Sequence, residues 1–139
     1  MINYTECNLD WLAAQHAQKI ISRTNPSEIE NTVTKALGVL QENGVYACIL
    51  YLLAKEKGNG IKVVEEMLNL LEELPFGLGR PSSLEPTAVL KFISDKVTKE
   101  LERQLLAKEL LEQMLIYARY IAKAHNGQGS DNNQAGEHE

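Results

Sequence analysis

The chain has three histidines, His16, His125 and His138, and no His-x-x-x-His, Glu-x-x-His or Cys-x-x-Cys pairing goes with them. A bound metal needs three or four such ligands converging on one point, so no metal or other cofactor is expected. His16 falls on the apolar stripe of the first helical pattern, where packing is the expected role. Carboxylates come in pairs, Glu65 with Glu66, Glu72 with Glu73, and Glu100 with Glu102. Each pair reads as the wet side of an amphipathic helix rather than as an acid–base couple. The glycine loops Gly58-Asn59-Gly60 and Gly77-Leu78-Gly79 lack the Gly-Lys-Ser/Thr of a phosphate-binding loop and read as turns. Enzymatic activity and a small-molecule substrate are therefore not expected.

The cations are more informative. Lys19 and Arg23 lie four apart where the first helix should end, Lys55 and Lys57 close the third, and Arg119 and Lys123 repeat the spacing near the end of the last. Cations in a last helical turn complement the helix dipole. They could also form one basic rim for phosphate contact if the three helix ends meet in space. These six residues are the candidate phosphate contacts.

Composition limits what such a rim could do. The 139 residues carry a net charge of -5, with 44% hydrophobic, 24% charged and 6% aromatic residues. Residues 1–125 hold all 14 Lys and Arg but 16 of the 19 acids, so the body is near -2. A dominant basic footprint is absent, which argues against a stand-alone binder with strong non-specific affinity for nucleic acid. Cys7 and Cys48 are far apart and read as reduced thiols in a cytoplasmic protein.

The elements that must position these residues are helices. Leu9, Leu12, Ala13, His16, Ala17, Ile20 and Ile21 trace a stripe over 8–22. Asn25, Pro26 and Glu28 start a second helix, which ends at Asn43-Gly44 in a left-handed cap. Residues 45–54 form an unbroken run of ten apolar or amphipathic residues. A membrane span needs about 20, so the run reads as a helix enclosed by its neighbours. A fourth helix covers 61–74, the loop 75–83 exposes Arg80, and a short helix runs through about Ser94. The last helix covers 98–124, with Leu101, Leu105, Leu106, Leu110, Leu111, Met114, Leu115 and Ala118 along a continuous apolar seam. The polar residues from 126 to 139 should be a disordered tail. The expected fold is all-α: one domain over 1–125, a compact bundle of five to six helices with a long C-terminal helix.

This order of features resembles the small all-helical subunit of the Cmr-type (type III-B) CRISPR RNA-guided effector complex. The residues that carry the likeness are Ala13, Ala14, Ala17 and Lys19 on the first helix, LQENG at 40–44, and VYACILYLLAK at 45–55. ELLEQMLIYARYIAKA at 109–124 adds to them, with Arg119 and Tyr120 standing where the family has an Arg-Phe pair. The chain departs from the family pattern at Ala118, where a basic residue is usual, and at Ile116, where a tryptophan is. The resemblance implies a non-catalytic subunit that stacks with copies of itself and with other effector subunits and lines the channel for guide and target RNA. The residues alone also fit a generic cytoplasmic helical adaptor that binds a protein partner and no nucleic acid.

Overall fold

The computed structural model describes residues 8–134, without the side chains of residues 57 and 128–134. Among the described residues there are six α-helices and no strand: α1 (Leu9–Arg23), α2 (Pro26–Asn43), α3 (Val45–Lys55), α4 (Lys57–Glu72), α5 (Pro86–Phe92) and α6 (Leu101–Gln134). A π-helical turn, Ile93–Thr98, continues α5. The all-α bundle with a long C-terminal helix follows from the apolar spacing read in the sequence.

Local chemistry sets the first boundaries. The Asn8 side chain accepts from the Trp11 amide at 3.0 Å and starts α1. Asn25 does the same for Ser27, with Pro26 in the first turn of α2. Gly44 ends α2 at φ +97°, as glycine permits, but with an extended ψ of -176° rather than the left-handed helical cap expected.

Gly58-Asn59-Gly60 is not a loop but the first turn of α4, with the Gly60 amide donating to the Glu56 carbonyl at 3.0 Å. The physical reason is close approach. A Cβ on Gly60 would lie 2.1 Å from the Leu52 carbonyl oxygen, so only glycine lets α4 start directly off α3. Glu56 ties this corner together, accepting from Thr32 Oγ1 at 2.8 Å and from the Tyr51 hydroxyl at 2.7 Å.

α3 is less enclosed than its composition suggests. Val45, Cys48, Ile49 and Leu52 are buried, whereas Tyr46 and Leu50 are exposed on the other side. Cys48 points inward, its thiol donating to the Ala36 carbonyl at 3.4 Å, and burial pushes that thiol up to about 12. Cys7 lies outside the described residues.

α6 lies along both α1 and α2, burying Ala107, Leu110, Leu111, Met114, Leu115, Ala118 and Ala122. Its seam is not continuous at the start: Leu101 is 69% exposed and Leu105 58%. The helix also runs on past His125, to Gln134, so the polar segment expected to leave the fold at 126 begins as helix. There Asn126 Nδ2 donates to the Pro26 carbonyl at 3.0 Å and to Glu30 Oε1 at 2.8 Å. Residues 135–139 lie outside the described residues.

Arg80 is not free in its loop. Its guanidinium donates to Asn69 Oδ1 at 2.7 Å and Glu72 Oε1 at 2.9 Å, while Leu78 beside it is buried.

Two tests follow from the α3–α4 corner. Gly60→Ala forces a methyl onto a backbone carbonyl and should cost about 1–3 kcal/mol. Gly58→Ala meets nothing within 4 Å and should gain about 0.4–1 kcal/mol. Equal effects of the two in urea titrations contradict the close approach.

Partial burial, with the neighbouring Glu56 carboxylate, pushes the Tyr51 phenol up to about 12, from an ordinary value of about 10. A phenol raised in the folded state stabilises it fully below pH 10 and loses that contribution as pH climbs towards 12. The stability advantage of the wild type over Tyr51→Phe should therefore be present at pH 8 and shrink by pH 11, measured by urea unfolding. A gap that widens with pH contradicts it.

Candidate nucleic-acid interface

The polarity of the packed helices decides whether the cationic ends can meet. α1 and α4 run antiparallel: His16 pairs with Glu73, Arg23 with Glu65 and Glu66, and Lys62 Nζ donates to the Arg23 carbonyl at 3.2 Å. α2 and α6 are antiparallel too, since Pro26 and Glu30 face Asn126 while Gln41 faces Glu112. α1 runs parallel to α6, with Asp10 hydrogen-bonded to Tyr117 and Ile21 and Ser22 beside Ile121 and His125. The end of α3 joins the same corner through Glu56 and Thr32. The C-terminal ends of α1 and α3, the N-terminal ends of α2 and α4, and the 119–126 stretch of α6 therefore lie at one end of the bundle.

The six candidates fare differently there. Lys19 and Lys55 are exposed, and the side chain of Lys57 lies outside the described residues. Arg23 is turned inward. Its two terminal nitrogens reach Glu65 Oε1 at 2.5 Å and Glu66 Oε2 at 3.1 Å, and the Glu65 hydrogen bond raises its already high pKa.

Arg119 and Lys123 line one groove of about 370 Å³ with Ser27, Glu30, Asn31 and Thr34. Since α6 continues to Gln134, these two cations are not in a last turn, and the dipole explanation does not apply to them. Arg119 sits with its guanidinium carbon 5.9 Å from the ring centre of exposed Tyr120, and its Nε is buried with no hydrogen-bond partner. Lys123 Nζ lies 3.8 Å from Glu30 Oε2, an ion pair too long for a hydrogen bond.

A second polar cluster escaped sequence reasoning. Glu66, assigned to the wet side of α4, is 3% exposed. Its Oε1 lies 2.8 Å from His16 Nδ1, and its Oε2 accepts from Arg23 and from Asn69 Nδ2, the latter at 3.1 Å. The other ring nitrogen, Nε2, lies 2.5 Å from Glu73 Oε2. Carboxylates only accept, so both contacts are hydrogen bonds when the ring carries both protons.

The signal was available in the spacing. Glu66 is three residues after Val63 and four before Leu70, on the inward stripe of α4, opposite an inward histidine. With both ring nitrogens engaged and the ring buried, the cluster fastens α1 to α4. Among the described residues no group of three or more His, Cys, Asp or Glu side chains could hold a metal ion, and His138 is outside them. No helix among them is long and apolar enough to cross a membrane.

Comparison of the chain with protein-family models, curated proteins and solved structures finds no match.

The cluster and the surface should respond differently to truncation. Glu66→Ala strips carboxylate from buried His16 and from Arg23 and should cost on the order of 3 kcal/mol. Glu65→Ala removes a partly exposed partner and should cost under about 1 kcal/mol. Chemical denaturation of both variants distinguishes them, and a Glu66→Ala protein as stable as the wild type contradicts the clamp.

Proposed function

We propose that the protein is a non-catalytic small subunit of a type III-B (Cmr) CRISPR ribonucleoprotein effector complex, acting in the cytoplasm. It stacks with neighbouring subunits and with copies of itself, and it touches guide or target RNA through weak phosphate contacts. The observation that carries this reading is that Arg119 and Lys123 line one groove at the end of an all-helical bundle where the ends of α1 and α3 also lie. The resemblance in residues 40–55 and 109–124 supports it independently.

Weak contacts suffice in a repeated assembly. Each further phosphate is met at high effective concentration once a neighbour is bound, so a body near -2 can still add to RNA affinity. Of the six candidates, Arg119 and Lys123 are favoured because they share a groove. Arg23 contributes less, since its guanidinium is already held by Glu65 and Glu66.

A second reading is favoured by the apolar residues left outside, Tyr46 and Leu50 on α3 and Leu101 and Leu105 on α6. They fit a helical adaptor that binds a protein partner and no nucleic acid.

Arg119→Ala should weaken RNA association of the assembled complex and reduce the slope of log affinity against log salt by about 0.7, the loss of one single-strand phosphate contact. Its thermal melt should stay close to wild type. Unchanged RNA binding and salt slope in the variant complex count against RNA contact at this groove, and a chain that assembles with no RNA-containing complex favours the adaptor.

A further inference from the structure

We propose that the α2–α6 groove is a site for a single phosphodiester and that Glu30 is its resident competitor, a carboxylate that occupies the cationic site until RNA displaces its hold on Lys123. The inference rests on the reading that Arg119 and Lys123 meet RNA, and it names the ligand chemistry and the residue that limits affinity there.

The groove carries two cations against one carboxylate. Buried charged N–H groups are nearly always hydrogen-bonded, because leaving one bare forfeits the hydration that burial removed. Arg119 Nε is buried without a partner and closed to solvent, so a ligand in the groove meets the rest of the guanidinium. Glu30 is the carboxylate lining the same groove: Oε1 accepts from Asn126 Nδ2 at 2.8 Å, and Oε2 lies 3.8 Å from Lys123 Nζ. Asn126 is itself anchored to the Pro26 carbonyl at 3.0 Å, which fixes the carboxylate's orientation towards α6.

Counting donors identifies what the groove can hold. The Ser27 hydroxyl already donates to Asn25 Oδ1 at 2.8 Å, and the Thr34 hydroxyl to the Glu30 carbonyl at 2.7 Å. Neither is left to bind an anion. Arg119, Lys123 and the Asn31 amide supply the donors, and the two cations against Glu30 leave a net charge of +1. That matches the single charge of a phosphodiester. A terminal or free phosphate carries about -1.5 to -2 at neutral pH and is poorly matched while Glu30 is ionised.

Glu30→Gln isolates this effect, because the glutamine oxygen can still accept from Asn126 while the charge is gone. The full-length protein, labelled for detection of arginine Nε–H signals by NMR, is titrated with a short oligouridylate lacking terminal phosphates and, separately, with inorganic phosphate. In the wild type the Arg119 Nε–H signal should move with the oligonucleotide and little with inorganic phosphate.

In Glu30→Gln the oligonucleotide should bind roughly threefold tighter or more, as expected when a competing surface ion pair is removed. Inorganic phosphate should now move the same signal, and adding Arg119→Ala should abolish both responses. Melting curves for Glu30→Gln close to wild type establish that the fold is intact.

Affinity unchanged or weakened in Glu30→Gln overturns the competitor role. Oligonucleotide shifts confined to other residues overturn the phosphodiester site while leaving RNA binding by the chain in place. No response of the Arg119 signal to millimolar ligand in either variant also overturns the site, and the Arg119→Ala comparison in the assembled complex then decides separately whether this end of the bundle meets RNA.

Discussion

Burial of α6 between α1 and α2 is the constraint on which the rest of the structure depends. Met114, Leu115, Ala118 and Ala122 are fully enclosed, and they meet a first helix whose Ala13 and Ala17 are enclosed as well. Small residues on facing stripes allow close helix packing, and the short α1–α2 connection forces those two helices to opposite directions. Once α6 lies along both, it is parallel to one and antiparallel to the other. That geometry brings the end of α1, the start of α2 and residues 119–126 of α6 together, and no individual cation had to be placed for the purpose.

The polar clusters divide the work. His16, Arg23, Glu65, Glu66 and Glu73 form a polar network at the α1–α4 contact, where the burial of His16 and Glu66 makes their partners obligatory. Arg119, Lys123 and Glu30 form a looser arrangement at the α2–α6 contact, with a long ion pair and an unpartnered donor. The first cluster is closed on itself. In the second, two cations share a groove with one carboxylate, which is why the proposed RNA contact is assigned there and why Arg23, promising by spacing alone but held by Glu65 and Glu66, is the weaker candidate.

Much of this fold was legible in the residues because apolar periodicity and capping chemistry act locally. Asn8, Asn25, Pro26 and Gly44 mark helix boundaries through their own backbones or side chains, and those boundaries stand within a residue or so. What escaped depends on distant partners. Gly60 looks like a turn until the Leu52 carbonyl beside it is known. Glu66 looks solvated until His16 and Arg23 arrive from α1. Leu50, Leu101 and Leu105 belong to apolar stripes by spacing, but the helices that could cover them are not in reach. For the candidate site, the sequence supplied the cation pairs. It could not supply the identity of the carboxylates that neutralise some of them, because pairing is set by packing across 40 to 100 residues of chain.

The central claim, a subunit that meets RNA at the α2–α6 end, is tested most directly by photo-crosslinking the assembly purified with this chain and mapping the linked peptides by mass spectrometry. The expected result is co-purification of other effector subunits with a guide RNA, and a nucleotide crosslinked within the segment holding Arg119, exposed Tyr120 and Lys123. An assembly without RNA, or crosslinks confined to the opposite end of the bundle around Asp10 and Glu42, contradicts it.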